Sequence, residues 1–220
     1  VDLVGGDTTS SLSGLVISIT VLGEGEKNKV TYRNGAREKD LLCVSGYLGG
    51  AYMGLQVLER EKSVFKANPK MQPDLEGLDY ILERQLKPEA RQDIIKLFAA
   101  LSLQPTSMID ISDGLASEIM HLCDQSNVGC ELYEEKIPLD PQTYETAKQF
   151  NLDPTVCALS GGEDYELLFT IKQADFEKVK NHPDIQFIGF VHEDAKQNFM
   201  QSKLGTVIPL SAQGWDHFKS

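Results

Sequence analysis

The stretch Ser107-Met108-Ile109-Asp110-Ile111-Ser112-Asp113-Gly114-Leu115 constrains the fold more than any other part of the chain. A short β-branched run ends in two carboxylates, and a glycine turn opens at once into a helical pattern. Leu115, Ile119 and Leu122 follow at i, i+4 and i+7, which marks one apolar helix face. Ser112 or Asp113 can cap the first amides of that helix, so the acids lie where the chain turns. Two acids three residues apart at a strand-to-helix turn can converge on one spot, and that spot suits Mg²⁺, which takes oxygen ligands and bridges to phosphates. The plainer alternative is a helix cap beside one solvated aspartate.

A second acidic motif, Leu159-Ser160-Gly161-Gly162-Glu163-Asp164-Tyr165-Glu166, runs directly into Leu167-Leu168-Phe169-Thr170-Ile171, which reads as a buried strand. Glycine flexibility beside adjacent acids favours close approach of a ligand, although a solvated acidic turn would look the same locally. Near the start, Gly5-Gly6-Asp7-Thr8-Thr9 lies between a strand closing at Leu3-Val4 and a β-branched strand over Leu15 to Leu22. Its paired glycines expose amides and its oxygens suit metal or phosphate; a hairpin-like turn is the alternative.

The remaining chain alternates strands, loops and helices. Arg33-Asn34-Gly35-Ala36 precedes a strand, Leu41 to Val44. The loop Ser45-Gly46-Tyr47-Leu48-Gly49-Gly50-Ala51 then feeds a helix with Leu55 and Leu58 on one face. Strand, glycine loop and helix can gather N-terminal amides around an anion, but no Gly-Lys-Ser/Thr makes this a Walker A loop. Residues 59–77 read as polar and irregular. Pro88 reads as a first-turn proline before a helix carrying Ile94, Ile95, Phe98 and Leu101. Further elements are expected at Val128–Tyr133 (strand), Asp140–Asn151 (helix), Ala174–Asn181 (helix), Ile185–Val191 (strand) and Thr206–Ile208 (strand). The tail Gly214-Trp215-Asp216-His217-Phe218 reads by itself as an aromatic cover for a core. Such alternation gives an α/β or α+β fold with mixed sheets. A domain boundary is expected near Lys29, dividing the chain into 1–28 and 29–220. With no initiator Met and a strand under way at Val1, the preceding part of the protein is expected to be missing.

A formal charge of −12 disfavours a nucleic-acid partner, and an anionic chain that handles polyphosphates needs metal ions or placed arginines. No apolar run approaches the roughly 18 residues of a membrane span. Cys43, Cys123, Cys130 and Cys157 show no Cys-x-x-Cys spacing, so they read as core residues of a reducing, cytoplasmic compartment, with no zinc site.

Four segments together, Gly5–Thr9, Arg33–Ala36, Met108–Leu115 and Leu159–Leu167, resemble the thiamine-monophosphate kinase family in order and approximate spacing, and the closing Gly-Trp-Asp-His-Phe adds to the likeness. The resemblance covers essentially the whole chain. It implies the two-domain architecture of the aminoimidazole ribonucleotide synthetase-like superfamily, with an N-terminal domain that dimerises and binds nucleotide across its interface. Residues 1–28 would then end that N-terminal ATP/Mg-binding domain, and 29–220 would form the C-terminal α/β domain of a homodimer. The implied reaction moves the γ-phosphoryl of ATP onto thiamine monophosphate, giving thiamine diphosphate and ADP. By the same resemblance Gly6 and Asp7 contact ATP, with Asp7 also on Mg²⁺. Arg33 and Ser112 contact ATP, Asp110 and Asp113 are catalytic Mg²⁺ ligands, and Glu163 and Trp215 line the thiamine phosphate pocket.

Simple chemistry agrees with those roles. Donor and acceptor are both anionic, so catalysis is mostly positioning and charge neutralisation. Arg33 supplies a fixed cationic fork, and Glu163 with Trp215 suits a thiazolium cation. One departure is Gly50-Ala51, where the family commonly has Asp-Ser, which leaves the role of that loop open. Two other readings are a superfamily enzyme with a different acceptor and a maturation scaffold that holds nucleotide without turning it over.

Overall fold

The computed structural model describes residues 5, 6, 14–195 and 197–211. The chain divides into two units, Val1–Val30 and Thr31–Ser220. In the first, Leu15 to Leu22 is not a strand. Its apolar side chains are exposed, from 70% at Val16 to 89% at Leu15. A β-branched run becomes a strand only when a neighbour completes its ladder, and residues 14–30 contribute no other strand. The expected strand at Leu3-Val4 lies outside the described residues.

The second unit is built on a seven-stranded mixed sheet. Its strands are β1 (Leu41–Ser45), β2 (Ser107–Asp110), β3 (Gly129–Tyr133), β4 (Leu167–Ile171), β5 (Ile185–His192), β6 (Asn198–Gln201) and β7 (Val207–Pro209). Their order is β2-β4-β1-β5-β3-β6-β7, and only β3 and β6 run parallel. The helices are α1 (Gly50–Ala67), α2 (Asp79–Leu86), α3 (Gln92–Ala100), α4 (Leu115–Ser126), α5 (Pro141–Gln149), α6 (Pro154–Ser160) and α7 (Phe176–Val179).

The central strands are buried on both faces, as expected of continuous apolar runs covered by helices. Alternation along β1 sends Leu42 and Val44 into one core, with Leu168, Ile109 and the α4 residues Leu115, Ile119 and Leu122. It sends Cys43 into a second core with Phe169, Ile171 and the α3 residues Ile94 and Phe98. The Phe98 and Phe169 rings meet edge to face at 5.0 Å. A third core joins α1, α2 and α5 through Met53, Val57, Ile81 and Ala147.

Several expectations change. The buried face of α1 carries Met53, Gly54 and Val57, and Leu55 is 37% exposed. Gly54 is required there, because a Cβ would collide with the Ile81 carbonyl of α2. Helix α1 continues to Ala67, inside the stretch that reads as irregular, because its packing against α2 outweighs the polar composition. Pro88 lies before α3 and not in its first turn; Ile94 and Phe98 are buried, while Ile95 is 45% exposed. Helices α2 and α6 and strand β6 were not expected. Helix α6 nonetheless carries a legible start, with Pro154 at its first position and Asp153 accepting from Thr155 N at 2.8 Å.

Candidate active site

Strand β2 delivers Asp110 to its exposed C-terminal end, and the loop 111–114 carries Ser112 and Asp113 to the start of α4. The acidic motif lies alongside this loop. Glu163 N donates to Ser112 O (2.7 Å), Tyr165 N donates to Ile111 O (2.8 Å) and Ile111 N donates to Glu166 O (2.8 Å). The approach is so close that Cβ atoms at Gly114 and Gly162 would strike the Leu159 and Ser112 carbonyls, and both glycines have positive φ, +111° and +72°.

Glu163 and Tyr165 also occupy the left-handed region, at φ 62° and 52°. For non-glycine residues this conformation costs of order 1–3 kcal/mol and persists only where the surroundings enforce it. Here the backbone bonds to residues 111 and 112 enforce it. The result sorts the motif by side: Glu163 and Tyr165 are exposed, while Asp164 and Glu166 are buried. The Tyr165 hydroxyl donates to Glu163 Oε2 at 2.9 Å. That bond, then burial, then the charges of Glu163, Asp110 and Asp113 hold the phenol above its usual range.

Neither Ser112 nor Asp113 caps α4. Gly114 is the N-cap, and no side chain bonds there. Instead Glu118, in the first turn, reaches back and accepts from Asp113 N at 3.1 Å. The bond resembles the reverse half of a capping box, displaced by one residue on each side: it joins the fourth helical residue to the amide preceding the N-cap. Glu118 is buried, and its Oε2 has no partner. Burial pushes its carboxyl up to about 7, against the pull of the Asp113 amide, and the charges of Asp113 and Asp110 add to the rise. The first-turn acid in Gly-Leu-Ala-Ser-Glu was the available signal for this residue.

The buried acids work on the other side. The carboxylate of Asp164 accepts from Gly49 N (2.7 Å) and Ala51 N (3.3 Å). The anion gathered by the glycine loop at the start of α1 is therefore the protein's own. Glu166 lies between Arg84 (3.0 Å) and Arg91 (2.5 Å) and accepts from Ser45 Oγ at 2.5 Å. Arg84 also donates to the Asp164 carbonyl. Arg84, Arg91 and Glu166 line a cavity of about 430 Å³ whose walls also include Tyr47, Tyr80 and Asp184.

The fold thus brings Asp110, Ser112, Asp113 and Glu163 onto one pair of joined loops. Arg33 is exposed on a segment tied to β2 by Met108 N to Tyr32 O (2.9 Å) and to α4 by Ala36 N to Ser126 Oγ (3.2 Å). Gly6 is exposed within the unit 1–30. Asp7 and Trp215 lie outside the described residues. Among the described residues no side chain pairs with the carboxylates of Asp110 or Asp113, and no group of three or more His, Cys, Asp or Glu converges as a metal cage. Two unpaired, exposed carboxylates form an all-oxygen donor set that fits Mg²⁺, which commonly takes one or two carboxylates and completes its shell with phosphate and water.

Comparison with known proteins gives consistent relatives. The chain is 33% identical over 226 residues to the thiamine-monophosphate kinase of Bacillus subtilis (strain 168), across 99% of this chain. The chain is similar to thiamine-monophosphate kinases over nearly its whole length. The enzymes of that name from Aquifex aeolicus (strain VF5) and Escherichia coli (strain K12) are 32% and 30% identical over 99% and 98% of the chain. The chain spans 65%, 63% and 63% of the lengths of these three relatives. No family model matches. Among solved structures, AaThiL complexed with AMPPCP and TMP aligns with a TM-score of 0.69 at 31% identity, over 86% of this chain and 54% of that one. The hydrogenase maturation protein HypE in complex with ATP shares the fold at a TM-score of 0.60 and 17% identity, over 85% of this chain and 54% of that one. The thiamine-monophosphate kinase family and HypE thus share the aminoimidazole ribonucleotide synthetase-like α/β fold found in this chain.

Proposed function

We propose that this chain is part of an enzyme that transfers the γ-phosphoryl group of ATP to the phosphate of thiamine monophosphate, giving thiamine diphosphate and ADP. The observation that carries this reading is the joining of the 111–114 loop to the acidic motif, which sets Asp110 and Asp113 beside Glu163. Both substrates are anions, so the site must bring like charges within reacting distance and hold them in line. Asp110 and Asp113 would hold Mg²⁺, with Asp7 as a further ligand. When bound, the ion would supply charge neutralisation for the phosphates. Ser112, Gly6 and Arg33 would contact ATP, Arg33 as a fork for phosphate oxygens. Glu163 would face the cationic thiazolium, with Trp215 stacked against the same ligand.

In this reading residues 1–28 end an N-terminal ATP-binding domain and residues 29–220 form the C-terminal domain, within a cytoplasmic homodimer. The nucleotide and TMP of the AaThiL complex are the two ligand types that the reaction requires. The test uses the full-length protein with MgATP and thiamine monophosphate, following ADP and thiamine diphosphate together by chromatography. Matched formation of both products is expected. ADP without thiamine diphosphate would move the assignment to another acceptor. A folded sample that binds MgATP and forms neither product would replace it with a nucleotide-holding scaffold.

A further inference from the structure

Tyr165 is the one aromatic residue of the acidic motif, and its placement is specified at every level. Its backbone is left-handed at φ 52°, a conformation that bulky residues avoid. Its amide is held by the Ile111 carbonyl at 2.8 Å. The chain on either side is anchored by the buried Asp164 and Glu166, each committed to partners on the far side of the motif. The ring lies toward the exposed acids, and there its hydroxyl donates to Glu163 Oε2. Glu163 Oε1 has no partner among the described residues, so one oxygen of that carboxylate is fixed and the other is free.

We propose that Tyr165 is a positioning residue for the acceptor: its hydroxyl holds Glu163 Oε2 and leaves Oε1 to meet the thiamine phosphate. This rests on the assignment of Glu163 to the acceptor pocket made above. A solvated glutamate samples several rotamers, and fixing one before the ligand arrives removes that ordering cost from binding. The phenol acts as a donor and not as a base: its proton is already committed to Glu163, and the surrounding acids raise its affinity for that proton.

The experiment compares wild type, Tyr165→Phe, Glu163→Ala and the double variant in the full-length protein. Tyr165→Phe keeps the ring and removes only the hydroxyl. Expected is a rise of roughly ten- to a hundredfold in KM for thiamine monophosphate, the range for losing a hydrogen bond to a charged group, with KM for MgATP within about twofold of wild type. On the Glu163→Ala background the same change should have no further effect, since the group it positions is gone. Equilibrium binding of thiamine monophosphate, measured by calorimetry, should weaken in parallel. An equal rise in both KM values, or a loss that multiplies with that of Glu163→Ala, would overturn the assignment. Wild-type turnover with an unchanged KM in Tyr165→Phe removes the role of Tyr165 alone. Absence of thiamine diphosphate formation by the wild type removes the functional reading, and this proposal with it.

Discussion

Asp164 Oδ2 sits 2.7 Å from the amide nitrogen of Gly49, and this contact joins the acidic motif to the start of the longest helix in the fold. It satisfies amides that would otherwise be unpaired at that helix terminus, in the manner of a cap drawn from 115 residues away. Asp164→Asn removes the charge and one of the two acceptors. A loss of about 1–2 kcal/mol in urea denaturation at pH 4 is expected.

The same residue gives a pH dependence. Burial pushes Asp164 up to about 6 from an ordinary value of 3.8, against the pull of the Gly49 and Ala51 amides. Because the folded value is the higher one, its contribution to stability is complete below about 3.8 and fades as pH rises through about 6. The stability difference between wild type and Asp164→Asn should therefore shrink from pH 4 to pH 7. A difference that grows over that range would show that the carboxylate is better stabilised in the fold than in water.

Glu166 sits between two arginines with its side chain 3% exposed. Removing the shared anion leaves the half-buried Arg84 without its ion-pair partner and Arg91 held by Asp93 alone at close range, whereas removing one arginine leaves a pair. Glu166→Ala is thus expected to cost about 3–5 kcal/mol, and Arg91→Ala less, because Arg84 still neutralises Glu166. Denaturant midpoints of the two variants, read at one pH, check the order.

Asp110 is exposed and unpaired, so Asp110→Asn should leave the melting temperature within about 2 °C of wild type. If it holds the cation as proposed, turnover of thiamine monophosphate should fall about a hundredfold or more. Near-normal turnover with unchanged Mg²⁺ dependence would dismiss it as a ligand.

The strand and helix around Asp110 were legible because both signals are local. The β-branched run pairs as β2, and Leu115, Ile119 and Leu122 are all fully buried. Residues 15–22 carry an equally strong β pattern, but among the described residues no strand pairs with them, and composition cannot supply a ladder. Which acids of Glu163-Asp164-Tyr165-Glu166 face inward was not legible either. That is decided by two left-handed residues and by contacts with Gly49, Arg84 and Ser45, all far away in the chain. The glycine loop before α1 looked like a ligand cradle for the same reason: the carboxylate that fills it enters from a distant segment.

The strand order also sets the sequence of events during folding. β1 lies between β4 and β5, so residues 41–45 have no lateral partner until residues 167–171 and 185–192 have been synthesised. Such long-range closure predicts slow assembly, with an apolar central strand left bare in early collapsed states. The loop pair that carries Asp110 and Glu163 extends the β2–β4 ladder, so it can form only as that ladder closes. A nascent chain released before β4 would hold the 111–114 loop without its counterpart and would need chaperone shelter to avoid aggregating through β1.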